Sequence, residues 1–158
     1  LKVLEKLAEL VPDLDAKVIG SGELEQQVRS AWAQSPAKDH IQLLGFQSNP
    51  YGLLRNAGLM LMTSLWEGTP MCALESMALG IPIVSTPVDG LCDLVEPDKT
   101  GFLESTDDAL AQSCARILRD PALRQALSEN TRSKAEQLLD LERYKQSLRA
   151  VYESGGTL

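Results

Sequence analysis

The sequence predicts an α/β domain in which a doubly wound, Rossmann-like parallel sheet is flanked by helices. Short apolar runs alternate with longer amphipathic stretches along most of the chain. The runs are continuously apolar, as is typical of parallel strands that helices cover on both faces. The 158 residues, 44% of them hydrophobic, suffice for one domain with its own core.

The order of the elements follows from where each apolar run begins and ends. Residues at helical spacing open the chain: Leu1, Leu4, Leu7, Ala8 and Val11. Strands are predicted at 16–19, 41–44, 59–62, 81–85 and 101–103, and helices at 23–33, 50–56 and 70–79. From residue 107 onward the pattern is helical, with a break at Asp120 and Pro121 and a frayed tail at 154–156.

Composition excludes several classes of partner. The chain has 22 acidic and 15 basic residues, a net charge of -7 and no cluster of Lys or Arg, so nucleic acid is not an expected partner. No apolar stretch is long enough to span a bilayer. The three cysteines are Cys72, Cys92 and Cys114. They are odd in number and form no C-x-x-C pair, which predicts neither disulfides nor a zinc site and favours the reducing cytoplasm.

Ligands of open parallel sheets bind beyond the carboxyl ends of the strands, so the loops that follow the predicted strands are the candidate site. These loops are 20–22, 45–47, 63–70 and 85–90, and we expect them to open onto one crevice. Gly20-Ser21-Gly22 is an isolated G-x-G, a pattern that more often marks only a tight turn.

The predicted helix at 70–79 is the most informative segment. Thr69 is predicted as its N-cap, Pro70 as its first residue and Gly80 as the left-handed residue that ends it. An apolar stripe consists of Met71, Leu74, Ala78 and Leu79. Glu75 falls inside this stripe, so we predict a buried carboxylate that needs a partner.

The residues alone leave the role of each acidic side chain open. Glu75 either accepts a hydrogen bond from a backbone amide, Ser or Thr, or accepts hydrogen bonds from ligand hydroxyls. Glu67 is either solvated or close to a ligand bound at the amides of Met71 and Cys72. A helix N-terminus can lower the pKa of Cys72. His40 stands alone at the start of a strand, with no Ser or Asp at an interpretable distance, and is interpreted as structural or solvated. Without a His to pair with Cys72, catalysis by this thiol is not expected.

Five motifs in order resemble the retaining glycosyltransferases of family 4. The first is Glu67-x7-Glu75, with Gly and Pro after the first Glu and Leu before the second. The others are a strand with its G-x-G turn at 16–22, a strand ending in Gly at 41–46, Ile-Pro-Ile-Val-Ser-Thr at 81–86, and Thr-Gly-Phe-Leu at 100–103. The resemblance extends over residues 1–152.

The resemblance implies the C-terminal, donor-binding half of a GT-B fold. In such a protein Glu67 is the catalytic residue that contacts the donor sugar, Glu75 contacts the ribose, and the 45–47 loop lies near the base. The implied donor-binding residues are Gly20, Gly22, Phe46, Gln47, Gly68, Thr69, Met71, Cys72 and Glu75. Asp89-Gly90, with Asp93 downstream, departs from the family's Gly-Gly before an acidic residue.

The implied activity is transfer of a sugar, with retention, from a UDP- or GDP-linked donor to a glycan or lipid in polysaccharide or glycolipid biosynthesis, without a metal cofactor. The implied partners are the nucleotide-sugar and an N-terminal acceptor domain, and any membrane contact would be made through that domain. The chain starts inside a helical pattern, so we expect residues 1–158 to form one domain that lacks its first strand, the acceptor domain and the family's diphosphate-binding Arg and Lys. The fragment alone is expected to be inactive.

Two other functions remain open. A GT-B sugar-nucleotide epimerase would share the architecture, although Glu67-x7-Glu75 argues against it. A nucleotide-binding module without catalysis is the second alternative.

Overall fold

The computed structural model describes residues 1–153, so the predicted frayed tail at 154–156 lies outside the described residues. The described strands are β1 (Ala16–Ile19), β2 (Ile41–Gly45), β3 (Met60–Met62), β4 (Ile83–Ser85) and β5 (Gly101–Leu103). The helices are α1 (Lys2–Leu10), α2 (Glu25–Gln34), α3 (Tyr51–Leu54), α4 (Met71–Ala78), α5 (Asp89–Cys92), α6 (Asp107–Arg119), α7 (Pro121–Leu138) and α8 (Leu141–Glu153), with a short 3₁₀ helix, Lys38–His40, before β2.

All described strand pairs are parallel, which confirms the predicted α/β class. β1 pairs with β2, with an irregularity in register between Val18 and Ile19. β4 lies between β3 and β5. The strands therefore form two sheets, of two and three strands, where the sequence predicts one.

The core lies around the three-stranded sheet, and β4 is buried along its whole length. One apolar cluster joins α1 and α6 to this sheet through side chains such as Leu7, Leu110 and Ile117. A second cluster, which includes Met77 and Leu91, joins α4 and α5 to it. Helices thus cover the sheet that positions the candidate loops at 63–70 and 85–90.

Helix ends agree with the sequence at two places. Asp120 accepts hydrogen bonds from the amides of Ala122 and Leu123, both at 3.0 Å, and α7 begins at Pro121. Gly80 has φ 73°, and the bond from Ile81 N to Ser76 O closes the end of α4. Both predicted boundaries are confirmed.

The predicted beginning and buried face of α4 are wrong. Pro70 is the N-cap, in extended conformation and without a side-chain capping bond, so Thr69 does not cap the helix. The buried residues are Ala73, Ser76 and Met77, whereas Met71 and Ala78 of the predicted stripe are exposed. When a helix is apolar on all sides, its sequence does not indicate which face is buried. The small buried residues Ala73 and Ser76 allow α4 to pack closely on α7 and β4.

The four-residue helix α5 has no counterpart in the sequence prediction. One helical turn is too short to produce a hydrophobic period, so only tertiary contacts distinguish it from a loop. Its Gly90 and Leu91 are buried beneath the loop that follows β3.

Candidate functional site

Backbone hydrogen bonds join the candidate loops in pairs. Gly20 N donates to Gly45 O at 2.8 Å, which joins the loops that follow β1 and β2. Gly90 N donates to Glu67 O at 3.3 Å, which joins the start of α5 to the loop that follows β3. Within each sheet, the loops that follow neighbouring strands therefore lie side by side.

A side-chain contact connects the two pairs of loops. The hydroxyl of Tyr51, the first residue of α3, donates to Oε1 of Glu75 on α4 at 3.1 Å. This hydrogen bond and the charge of Glu75 raise the pKa of Tyr51 above its ordinary value. The contact places α3, which follows β2, beside α4.

The environment of Glu75 differs from the prediction. Its side chain is half-buried, so the fully buried carboxylate expected from the sequence is wrong. The recorded partner of Glu75 is the phenol of Tyr51, which is neither a backbone amide nor Ser or Thr. The sequence analysis did not identify Tyr51. The available signal was an aromatic residue with a hydroxyl group at the start of a helix that follows a strand.

Glu67 is held by its neighbours in the loop that precedes α4. Ser64 Oγ donates to Oε1 of Glu67 at 2.7 Å. Thr86, at the end of β4, donates through Oγ1 to the Ser64 carbonyl at 2.6 Å. Together with the bond from Gly90, these contacts fix both the backbone and the carboxylate of this half-buried residue.

Gly90 is required by a close backbone approach. A Cβ on this residue would stand 1.5 Å from the carbonyl oxygen of Gly68. Residue 90 must therefore be glycine, because a side chain at this position would displace the loop that carries Glu67.

The N-terminus of α4 presents exposed residues between the two carboxylates. Met71 and Cys72 are exposed, as are Gly68 and Thr69 before them. The first backbone bond of the helix runs from Ala73 N to Pro70 O at 3.0 Å, so the preceding amides lie at the positive end of the helix dipole. An anion can approach these amides from solvent.

The pKa of the Cys72 thiol is raised, whereas a helix N-terminus alone would lower it. Cys72 is exposed as a whole residue, but neighbouring groups partly desolvate its sulfur, which is the main cause, and the nearby carboxylates of Glu67 and Glu75 raise the pKa further. Hydrogen bonds from the amides of Ala73 and of Cys72 itself oppose the shift but do not outweigh it. Both acidic side chains therefore lie close enough to act on the same sulfur.

The turns after β1 and β2 need glycine and border a cavity. Gly20 has φ 128° and Gly45 has φ 64°, both in the left-handed region. A cavity of about 290 Å³ lies between the 20–22 turn, with Gly22, and α2. Phe46 is 74% exposed, and the side-chain amide of Gln47 donates to Leu44 O at 2.9 Å. The described contacts do not bring Phe46 or Gln47 to the carboxylates.

Two further findings concern residues 1–153. They contain no group of three or more His, Cys, Asp or Glu side chains arranged to hold a metal ion. None of their helices combines the length and the apolar character needed to cross a membrane.

Comparison with solved structures relates the fold to glycosyltransferases of the GT-B type. The chain superposes on Anabaena Alr3699/HepE in complex with UDP-glucose with a TM-score of 0.84 and 22% identity, covering 97% of this chain and 44% of that one. The parallel strands and flanking helices thus form a known arrangement.

Sequence comparison finds relatives that are longer than this chain. N-acetyl-alpha-D-glucosaminyl L-malate synthase of Bacillus anthracis is 27% identical over 154 residues, which is 95% of this chain and 40% of that protein. UDP-Gal:alpha-D-GlcNAc-diphosphoundecaprenol alpha-1,3-galactosyltransferase of Escherichia coli is 30% identical over 79% of this chain and 33% of its own length. The chain thus spans less than half of each of these relatives. The family described as glycosyl transferases group 1 matches residues 1–134, and the chain belongs to that family.

Proposed function

We propose that this chain is the donor-binding, C-terminal domain of a retaining family 4 glycosyltransferase. It binds a UDP- or GDP-linked sugar, and the full-length enzyme transfers that sugar to a glycan or lipid acceptor in the cytoplasm. The observation that carries the proposal is the placement of Glu67 and Glu75 on either side of the α4 N-terminus, each half-buried and each hydrogen-bonded. The Escherichia coli relative whose name gives UDP-Gal as the donor supports this donor class.

The diphosphate is assigned to the amides that begin α4. The segments 20–22, 45–47, 63–70 and 85–90 contain no Lys or Arg. The backbone amides of Met71 and Cys72, at the start of α4 and directly after the third segment, are therefore the positive groups assigned to the diphosphate. A helix terminus contributes on the order of 0.3–1 kcal/mol to an exposed anion, so this chain alone should bind weakly.

The two carboxylates take different parts of the donor. Glu75 contacts the ribose hydroxyls, and Tyr51 orients it by donating to one of its oxygens. Glu67 contacts the transferred sugar, because it precedes the anion-binding amides and its carboxylate is fixed by Ser64. Phe46 and Gln47 lie in the loop assigned to the base, and Gly20 and Gly22 shape the turn beside it.

Transfer by the isolated chain is not expected. An acceptor domain supplies proximity, which is worth up to about 7–11 kcal/mol of the barrier. A preorganised charge stabiliser of the leaving diphosphate contributes a factor of about 100–1,000 in turnover. Both contributions are assigned to the rest of the enzyme. We propose that donor binding does not require a metal ion. EDTA should therefore leave donor binding unchanged.

Titration of the isotopically labelled chain with UDP, GDP and UDP-glucose tests the proposal by NMR. We expect shift changes at Gly45, Met71 and Glu75. Replacing Glu75 with Gln should weaken UDP binding by about 10-fold or more, since a hydrogen bond to a charged group is worth about 1.5–3 kcal/mol. The matched control is Glu129→Gln on the exposed side of α7, which should bind as the parent does.

Glu67→Gln separates catalysis from nucleotide binding. It should leave UDP binding within about 2-fold of the parent, because Glu67 is assigned to the sugar, and it should lower turnover of the full-length enzyme about 100-fold or more. Absence of any shift change on addition of the nucleotides would overturn the assigned crevice. Equal binding by Glu75→Gln and Glu129→Gln would make Glu75 structural.

A further inference from the structure

Two large apolar side chains are exposed to solvent directly before Glu67. Leu65 is 89% exposed and Trp66 is 84% exposed, in the loop between β3 and α4. A single exposed apolar residue is ordinary on a protein surface. Adjacent Leu and Trp residues beside a half-buried carboxylate instead form a contiguous apolar patch, which is typical of a contact site for a ligand or partner.

The backbone that carries this pair of residues is anchored at both ends. Directly before the pair, Thr86 Oγ1 donates to Ser64 O at 2.6 Å. Directly after it, Gly90 N donates to Glu67 O at 3.3 Å, and the 2.7 Å bond from Ser64 Oγ to Glu67 Oε1 joins the two ends. Because this segment is already held, a ligand that contacts the pair does not have to order its backbone.

The two tryptophans of the chain have opposite environments. The indole N–H of Trp32 donates to Ile41 O at 2.8 Å. Within residues 1–153, the indole N–H of Trp66 has no protein acceptor. A Trp side chain has only two torsions, so it presents a large contact surface at low cost in conformational entropy. Trp66 therefore offers a ligand a flat apolar face together with an unused N–H donor.

The charges around the pair favour a neutral ligand that carries hydroxyl groups. Segments 63–70 and 85–90 contain Glu67 and Asp89 and no Lys or Arg. Anionic lipid surfaces are bound through basic residues, which these segments lack. A sugar ring is uncharged, its C–H groups suit the negative face of an indole, and its hydroxyls can accept from the free N–H.

We propose that Trp66, supported by Leu65, is the platform on which a sugar ring of the acceptor rests, and that it determines acceptor specificity. This inference rests on the proposed function, in which Glu67 contacts the transferred sugar. The reacting acceptor hydroxyl must come within about 3–3.5 Å of the reacting carbon of that sugar. Consecutive Cα atoms are about 3.8 Å apart, so the ring that carries this hydroxyl comes within reach of the indole next to Glu67.

The test measures the two tryptophans separately by NMR. The chain has two Trp residues, so the isotopically labelled chain gives two indole N–H signals, which Trp66→Phe assigns. The chain is titrated with the methyl glycosides of glucose, galactose and N-acetylglucosamine to about 100 mM, because one ring on one aromatic side chain binds weakly. Glycerol at the same concentration is the control for hydroxyl groups. Tyr152→Leu, which removes an exposed aromatic side chain from α8, is the matched control for Trp66→Leu.

We expect at least one glycoside to produce a saturable shift of the Trp66 indole signal. The Trp32 signal should stay in place, and glycerol should have no effect. Trp66→Leu should abolish the glycoside-dependent shifts of the Glu67 and Gly68 amides, whereas Tyr152→Leu should retain them. If no glycoside moved the Trp66 signal, the proposal would be overturned.

Two further titrations identify other occupants of the patch. If vesicles of phosphatidylcholine and phosphatidylglycerol removed the Trp66 signal while the glycosides left it unchanged, the occupant would be a lipid surface and the proposal would be wrong. A larger shift of Trp66 with UDP alone than with any glycoside would assign Trp66 to the donor and also overturn it. A response to glycosides without UDP shifts at Gly45, Met71 and Glu75 would refute the proposed donor site and still support Trp66 as a sugar platform.

Kinetics of the full-length enzyme test the role in acceptor specificity. Trp66→Leu should raise the KM for the acceptor about 10-fold, the effect of losing one stacking contact with an aromatic ring. The KM for the donor should stay within about 2-fold of the parent, because the donor does not rest on Trp66. Trp66→Phe keeps an aromatic face and should recover most of the acceptor affinity. Equal changes in the two KM values would contradict an acceptor-specific role.

Discussion

Replacing Gly90 with Ala should displace the loop that carries Glu67. The added Cβ would stand 1.5 Å from Gly68 O and 3.1 Å from Glu67 O, where ordinary contacts are 3.4–4 Å. The loop must therefore move by about 2 Å, which breaks the 3.3 Å bond from Gly90 N to Glu67 O. Overpacking costs about 1–3 kcal/mol and the lost hydrogen bond about 1 kcal/mol. A loss of about 3 kcal/mol lowers the Tm by about 6–12 °C in a domain of this size.

Two glycine variants separate stability from the site. In Gly101→Ala the Cβ would stand 1.8 Å from Ile83 O, a similar clash at the beginning of β5, the end of the sheet away from the candidate loops. In Gly52→Ala no atom lies within 4 Å of the added Cβ. We expect comparable loss of Tm for Gly90→Ala and Gly101→Ala and no loss for Gly52→Ala.

The assay pairs thermal unfolding by circular dichroism with UDP-glucose binding by the folded fraction below the transition. Gly90→Ala should weaken binding, while Gly101→Ala should bind as the parent does, because only the former moves Glu67. In the full-length enzyme Gly90→Ala should lower turnover about 100-fold, the effect of misplacing a reacting group by about 1 Å. If the Tm of Gly90→Ala equalled that of Gly52→Ala, the steric argument would be refuted. If Gly90→Ala and Gly101→Ala bound UDP-glucose equally, the connection between Gly90 and the position of Glu67 would be refuted.

Three other predictions follow from single contacts. Burial raises the pKa of the Cys114 thiol to about 12, whereas Cys72 and Cys92 are exposed. Iodoacetamide at pH 8 should therefore modify two thiols in the native chain and the third only in denaturant, as counted by mass spectrometry. Rapid modification of Cys114 in the native chain would contradict its burial. Thr131→Val should lower the free energy of unfolding by about 1 kcal/mol, measured by urea unfolding, because the buried hydroxyl of Thr131 donates to Thr100 O at 3.1 Å. Thr131→Ser keeps a hydroxyl and should retain most of this stability. The ammonium group of Lys134, with a smaller effect of Lys99, lowers the pKa of Glu96 below its ordinary value of 4.5. The ion pair between Glu96 and Lys134 therefore stabilises the fold above pH 4.5, and this stabilisation is lost as the pH falls through the lowered pKa. Lys134→Met should therefore lower the urea midpoint at pH 7 and change it less at pH 2; an equal loss at both pH values would assign the effect to packing.

The sequence is sufficient for the strands and for helix ends that depend on local chemistry. Apolar runs place all five strands to within about two residues, although only β4 is buried along its whole length. Asp120 and Gly80 mark helix ends because the capping carboxylate and the left-handed glycine act on neighbouring residues. The buried face of α4 depends instead on α7 and β4, which are distant in sequence.

Two contacts that shape the candidate site could not be predicted because they join separate segments. Tyr51 and Glu75 are 24 residues apart, and Thr86 and Ser64 are 22 apart. A sequence pattern identifies a residue that can donate or accept, but not the partner that the fold brings to it. Gly90 is a further case, since its need for glycine arises from the Gly68 carbonyl across the loop.

The fixed position of Glu67 favours the proposed transferase over a nucleotide-binding module. Holding a Glu side chain in one rotamer costs up to about 1.5–2 kcal/mol of conformational entropy. A carboxylate that serves only weak binding gains little from this cost, whereas one that acts on a reacting sugar depends on orientation. Ser64 and Gly90 bond to Glu67, and Thr86 fixes Ser64 in turn. Ser64→Ala should therefore lower turnover of the full-length enzyme more than it weakens UDP binding, and an equal effect on both would favour the binding module.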